Sequence, residues 1–342
     1  MHTRRNVLPT MMSAVLAGGM LALMPAPVAQ AQDRTFVMKL STATLNDTQH
    51  EYLKRLAAAV EKDSGGRIKG EVYPASQLGP IPRQIEGVQF GSVQGWMGPP
   101  EFLVGVDVRY ETLAAPGLFS SPAQAEKVIA DRAVRKMLFD LGEAKGLEGA
   151  GLLPIGPSSI AVRKEVKTLA DLKGMKVRVL ASPFQLELIR RMDASPVAMT
   201  LADVLPGLQQ GTIDAALGVI TVWTPFQYQD AAKYVMNNDQ PYISSIFVLS
   251  KRWMATLPPD LQKIVRDNCA KLDTELVSFV REFFASQTNV WKTRGGQIID
   301  PPAAETAAVT AKISTIAADL SKDKPDLAAA VKVVFDSAAR HK

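Results

Sequence analysis

One short run of this chain joins a helix start, a tight stop and a strand that displays a guanidinium: Lys167 to Val179, KTLADLKGMKVRV. Thr168 and Asp171 have the spacing of a capping box, and Gly174 ends that helix after about one turn. Met175, Val177 and Val179 then alternate with Lys176 and Arg178, which predicts a strand with a half-buried apolar face and Arg178 on the other. A guanidinium fixed on a strand offers a planar fork of donors that matches a carboxylate through two parallel hydrogen bonds. Arg178 is therefore the leading candidate for holding an anion.

The rest of the inventory narrows the chemistry. Histidine occurs only as His2, His50 and His341, and cysteine only as Cys269, so no His/Cys cluster supplies a zinc site and no intramolecular disulfide can form. No serine–histidine or cysteine–histidine arrangement is evident, and no carboxylate pair stands in a suggestive context, which argues against an enzyme. Cys269 falls in the apolar series Val265, Cys269, Leu272, Leu276 and Val280, and reads as core packing. No cofactor is expected.

At the N-terminus, Arg4 and Arg5 precede an apolar stretch from Met11 to Met24, and Ala29-Gln30-Ala31 fits the small-residue cleavage rule. The apolar core is too short and too rich in alanine and glycine for a membrane span. Thr3-Arg4-Arg5 followed by Val7-Leu8 suits a twin-arginine signal as well as the general secretory route. Residues 1–31 are read as a signal peptide, and the expectation is an exported protein. Removing Arg4 and Arg5 lowers the formal net charge from +5 to +3, with no basic block, so nucleic acid is not an expected partner.

The elements that must position Arg178 follow an alternating grammar. Phe36–Leu40 reads as a strand, Thr48 onward as a helix with Tyr52, Leu53, Leu56 and Val60 on one stripe, and Ile68–Tyr73 as the next strand. A short helix marked by Ile85 and Val88 leads to a strand at Val93–Met97, which ends at Gly98-Pro99-Pro100. A helix is predicted over Pro122–Leu141, strands over Leu147–Ile155 and Ser159–Arg163, and helices over Pro183–Met192 and Leu201–Gln210. Strands follow at Gly211–Ala215 and Ile243–Ser250. This pattern implies mainly parallel sheets with crossover helices, arranged as two similar α/β lobes. From Pro258 to Trp291 no glycine or proline follows the opening Pro258-Pro259, so one helix on the order of 50 Å long should brace both lobes. An alanine-rich helical tail from Ala303 to Arg340 breaks near Lys324-Pro325.

Three signatures in order resemble the DctP-type solute-binding proteins of tripartite ATP-independent periplasmic (TRAP) transporters. They are Tyr73–Gly79 with Ile85–Gly91, Asp171–Val179, and Leu201–Asp214. The resemblance implies an α/β, two-lobed, Venus-flytrap binding protein with a long helix bracing both lobes. Lobe I would comprise 32–155 plus about 244–283, and lobe II 156–243 plus about 284–342 with the C-terminal helices. It implies capture of an organic acid in an interlobe cleft and delivery to small and large TRAP membrane subunits, by a protein acting as a monomer. It also places the family's substrate-pairing arginine on Arg178. Where the family often carries a ligand-contacting asparagine after the Gly-x-x-Asp stretch, this chain has Gly218, a departure that disfavours sugar acids. The alternatives are an exported α/β enzyme acting on a small carboxylate, the binding protein of an ABC importer, or a sensor.

Other site candidates follow from that cleft. Trp96 stands at a strand end beside Glu101 and Phe102, at the expected cleft lip. Trp223 and Phe226 follow the Gly218 segment, where an indole offers apolar surface and one donor in place of the missing amide. Gln185 and Tyr242 are candidate wall residues, with Phe184 better explained by packing. Ser158 and Ser159 lie at the lobe crossover, where their hydroxyls could reach a second carboxylate oxygen. Thr44 and His50 lie near the first strand's end, with His50 read as a helix-start residue. Several aromatics without extra arginines favour an aromatic or short aliphatic carboxylate over a hydroxylated sugar acid.

Overall fold

The computed structural model describes residues 34–342; the signal-peptide reading therefore lies outside the described residues. In chain order the first elements are β1 (Phe36–Thr42), α1 (Thr48–Asp63), β2 (Ile68–Tyr73), α2 (Ile81–Phe90) and β3 (Gly95–Gly98). Two 3-10 turns, Pro100–Leu103 and Val108–Ala114, lead to α3 (Pro122–Ala130), α4 (Arg132–Asp140) and β4 (Leu147–Val162). Next come β5 (Lys176–Val179), α5 (Pro183–Arg191), β6 (Ser195–Ala198), α6 (Leu201–Gln210), β7 (Ala215–Gly218) and α7 (Ile220–Trp223). The chain closes with β8 (Tyr234–Ser250), α8 (Lys251–Met254), α9 (Pro259–Thr293), β9 (Gln297–Ile299), α10 (Ala303–Ile313), α11 (Ile316–Ser321) and α12 (Pro325–Arg340).

Among the described residues the strands form one sheet in the order β2-β1-β3-β8-β4-β7-β5-β6, with β9 beside β8. Within each flank the pairing is parallel, β2-β1-β3 on one side and β7-β5-β6 on the other. The expected two parallel sheets are instead joined by two long strands. β4 and β8 run antiparallel to each other from Leu147 opposite Ser250 to Val162 opposite Tyr234. What reads in sequence as two strands around Pro157 is the single strand β4, and β8 begins nine residues before the expected Ile243. Glycine and proline in this stretch create irregular pairing rather than a break: the register slips at Gly149/Gly151, Pro154/Gly156 and Pro157/Ser159. The sheet thus has two halves that meet where Gly156 faces Ile243 and Pro157 faces Tyr242.

Local signals place most of the helices. Thr168 and Asp171 form the capping box reciprocally, and the helix they start is a single 3-10 turn, Leu169–Leu172. The predicted helix over 122–141 is divided at Asp131, whose extended backbone ends α3 and whose carboxylate accepts from Ala133 N–H at 2.8 Å to cap α4. The expected long helix is α9, 35 residues, about 50 Å at 1.5 Å per residue. It packs against α1 and β4 and also against α7 and β9, so it spans both halves. The tail is shared between halves: α10 and α11 pack on α5, whereas α12 turns back to α3, α4 and the Val108–Ala114 turn. The expectation that the whole tail joins the second lobe fails for α12, which is seated there by its buried stripe of Leu327, Ala330, Val331 and Val334.

Candidate functional site

The C-terminal ends of the parallel strands converge on one cleft. From the first half come Ala43 and Thr44 after β1, and Trp96, Met97 and Gly98 of β3. From the second come Arg178 and Leu180 at the end of β5, and Gly218 and Val219 at the end of β7. Ligands in open α/β sheets sit at such strand ends, because loops and helix starts gather there. The cleft is narrow, with a cavity volume of about 50 Å³. Its walls are mostly apolar, with Ile81, Phe102, Leu201, Val222, Trp223 and Ile243 completing the lining around the polar side chains of Thr44, Gln49 and Arg178.

Arg178 is 2 % exposed. Its strand is covered on both faces, since Val177 and Val179 are buried as well, and the half-buried pattern expected from sequence does not hold. Nε donates to the Met199 carbonyl and Nη1 to the Leu217 carbonyl, both at 3.0 Å, which fixes the guanidinium plane. Nη2 makes no hydrogen bond within the described residues, leaving donors of a charged, oriented group for an occupant of the cleft. Burial brings the Arg178 pKa down to about 10, so it remains a cation at neutral pH. It is the one cationic side chain among the described cleft-lining residues.

Gln49 adds a second oriented group that sequence reading missed. Its Oε1 accepts from Thr42 Oγ1 at 3.0 Å, and its amide nitrogen makes no hydrogen bond among the described residues. Thr44 donates its hydroxyl to Asp47 at 2.8 Å. Gln49 lies one position after the helix-start Thr48, where the amphipathic stripe gave no reason to single it out.

Glu101 and Gln185 lie outside the cleft lining and are held by each other. Gln185 Nε2 donates to Glu101 Oε1 at 3.1 Å, and Gln185 Oε1 accepts from Leu180 N–H at 3.0 Å. Burial pushes the Glu101 carboxyl up to about 8, with the like charge of Glu111 adding to it. At neutral pH Glu101 is accordingly protonated, and Arg178 carries the charge of the site. Glu101 therefore acts as a buried support behind the lining.

The aromatic candidates divide. Trp96, Phe102 and Trp223 line the cleft; Phe226 does not, and packs edge-on against Tyr228 with ring centroids 6.2 Å apart. Both indoles are completely buried, and each Nε1 lacks a hydrogen-bond partner among the described residues, a cost of about 1–3 kcal/mol per group. The benzo edge of Trp223 fills the space that a side chain at Gly218 would enter. Ser158, Ser159 and Tyr242 belong to the junction of the halves instead of the cleft. Ser158 donates to Asn238 at 3.1 Å, Ser159 faces a separate hollow beside Phe284, and Tyr242 meets Phe119 edge-on at 5.8 Å. The continuous strands β4 and β8 carry those three side chains away from the ligand-facing strand ends. Phe184 is buried in the core, and His50 accepts from Asn46 N–H at 3.1 Å near the start of α1.

Comparison with known proteins follows the same outline. The family model for bacterial extracellular solute-binding protein, family 7 (DctP), matches residues 40–323. The chain belongs to this family. As a DctP-type chain it has the two-lobed fold of the TRAP periplasmic binding proteins. It is 28% identical over 218 residues to the 2,3-diketo-L-gulonate-binding periplasmic protein YiaO of Escherichia coli K12, covering 64% of this chain and 66% of that one. A TRAP periplasmic solute-binding protein from Desulfovibrio salexigens, solved with orotic acid, superposes with a TM-score of 0.84 at 22% identity over 90% of this chain and 100% of that one. The sugar-acid-binding protein DctPAm from Advenella mimigardefordensis, solved with galactonate, gives 0.85 at 19% identity, over 90% and 99%. At those identities the likeness establishes the fold. Among the described residues no group of three His, Cys, Asp or Glu side chains is placed to hold a metal ion, and no helix is long and apolar enough to cross a membrane.

Proposed function

We infer that this DctP-type chain captures an organic acid bearing one carboxylate and an apolar, aromatic or short aliphatic body. It would then present that acid to the small and large membrane subunits of a TRAP permease. The observation that carries the reading is Arg178: a buried cation, pinned by two backbone carbonyls, facing a cleft walled mostly by apolar side chains. A carboxylate there gains charge-assisted hydrogen bonds, while the rest of the molecule meets apolar surface. A polyhydroxylated body would bury hydroxyls opposite Met97, Leu180 and Val222 with few partners, which is costly. The relatives that bind diketogulonate or galactonate share the family or the fold, and the lining of this cleft is what argues for a different body here.

Residues from both sheet halves line the cleft, so a ligand touching both favours the closed arrangement, and a permease can distinguish loaded from empty protein by shape. In this reading the protein works in the periplasm as a monomer, after removal of a signal peptide near Ala31, and Val37 and Phe90 are its exposed large apolar side chains among the described residues. In this reading lobe I is 34–155 plus about 244–283, and lobe II is 156–243 plus about 284–321, with α12 reassigned to lobe I.

A thermal-shift screen of the purified protein against carboxylic acids, their amides and neutral sugars tests the function. A ligand at 100 times its Kd stabilises the protein by about 2.7 kcal/mol, a readily measured shift. Shifts confined to acids support the reading, and shifts from the amides or sugars alone would refute it.

A further inference from the structure

We propose that Gly98 and Gly218, the last residues of β3 and β7, set the ligand class by seating Trp96 and Trp223 against bare backbone, sizing the cleft for a carboxylate whose body is one apolar ring. The proposal rests on the carboxylate reading above and adds the residues that choose the body. Neither glycine has a left-handed backbone, so chain conformation alone does not require glycine at either position. Close approach does. A Cβ at Gly98 would lie 2.4 Å from Cζ2 of Trp96, and one at Gly218 would lie 2.3 Å from Cζ2 of Trp223. Real Cβ atoms do not approach so closely, so either alanine must displace its indole.

The same device stands once in each half of the sheet, and both copies line the same cleft. Each ring is completely buried, and neither indole N–H has an acceptor among the described residues, so packing and not hydrogen bonding holds the rings where they are. Tyr228 stacks on Trp223 with centroids 4.9 Å apart, which blocks retreat on that side. A displaced ring therefore moves toward the space that is free, the cleft, and narrows it. A one-ring body matches walls made from two fixed indoles, Phe102 and aliphatic chains, whereas a polyol meets few polar side chains among the described lining residues, chiefly Thr44, Gln49 and Arg178.

The test is calorimetric titration of the purified protein with benzoate and D-gluconate, on wild type, Gly98→Ala and Gly218→Ala, with far-UV circular dichroism to verify folding. Wild type is expected to prefer benzoate, and each folded alanine variant to lose at least tenfold in the benzoate-to-gluconate affinity ratio. If an alanine variant does not fold, Trp96→Leu or Trp223→Leu carries the test at that wall. Either leucine variant removes the overlapping ring atoms and is expected to lower the same ratio at least tenfold. A wild type that prefers benzoate together with folded variants of unchanged ratio overturns the role of the two glycines and leaves the carboxylate reading standing. A wild type that binds gluconate in preference to benzoate overturns the one-ring class itself.

Discussion

Glu111 Oε2 accepts from the backbone N–H of Phe184 at 3.0 Å, joining the Val108–Ala114 turn to the first turn of α5. The Ser182 hydroxyl donates to the same oxygen at 2.9 Å, and three residues along the helix Gln185 donates to Glu101. Two carboxyls from the segment after β3 thus close over the start of the helix that follows Arg178. A helix start attracts negative charge, yet burial opposes it. Burial pushes Glu111 up to about 7 and Glu101 up to about 8, and each keeps one oxygen without a partner among the described residues.

A pH dependence of stability follows from this pair. Both carboxyls bind their protons more tightly in the folded chain than at the ordinary value of 4.5, so the folded state holds more protons than the unfolded state above that pH. Their contribution is full below about 4.5 and is lost as pH rises through about 7 and 8, at up to about 1.4 kcal/mol per pH unit for each group. Unfolding midpoints measured from pH 5 to pH 9 should fall across that window for wild type, and less steeply for Glu101→Gln with Glu111→Gln. Identical slopes in the two proteins would contradict the assignment.

Replacing Arg178 by alanine should abolish most acid binding. Removing one partner of a buried ion pair costs about 3–5 kcal/mol, equivalent to a loss in affinity of more than about 100-fold. The same change leaves the Met199 and Leu217 carbonyls without their donor, so the free protein should also lose about 1–3 kcal/mol. Titration calorimetry with the acid found in the thermal screen, combined with urea unfolding, separates the two effects. Retained affinity in a folded variant would remove Arg178 as the anchor.

Gly156 occupies the junction of the halves at φ 155°, and a Cβ there would meet the Phe284 ring at 2.8 Å. Gly156→Ala should therefore destabilise the protein by about 1–3 kcal/mol through strain at the point where β4 passes from one half to the other. The urea midpoint reads this directly. A midpoint equal to wild type would show that the junction yields freely.

The thiol of Cys269 is fully buried in α9, and burial raises its pKa far above the usual thiol range. A thiol reagent such as DTNB should leave the native protein unmodified over hours and titrate one thiol in denaturant. Rapid native reaction would mean that α9 opens from β4 far more readily than its packing implies.

Much of the site was legible locally. The Thr168/Asp171 capping box, the stop at Gly174 and the alternation that puts Arg178 on a strand are interactions between residues a few positions apart. The same holds for the glycine- and proline-free run that becomes α9. Trp96, Phe102 and Trp223 fall in the candidate cleft because each lies in or shortly after a strand, on the side where parallel strands present their loops.

Other features depended on pairings that sequence distance hides. Two-residue periodicity assigns side chains to faces of a strand, but not what covers each face, so Arg178 proved buried on a strand expected to be half exposed. Glu101 and Gln185 stand 84 residues apart, and only the packing of the two halves turns them toward each other. Ser158, Ser159 and Tyr242 left the candidate cleft because β4 and β8 continue through both halves, a register established over more than 70 residues. The helix and strand grammar, the arginine and the brace are set along the chain, since they rest on local propensity and spacing. The tertiary structure decided which strand ends meet and what covers each face of the strands, because those contacts exist only once distant segments are packed.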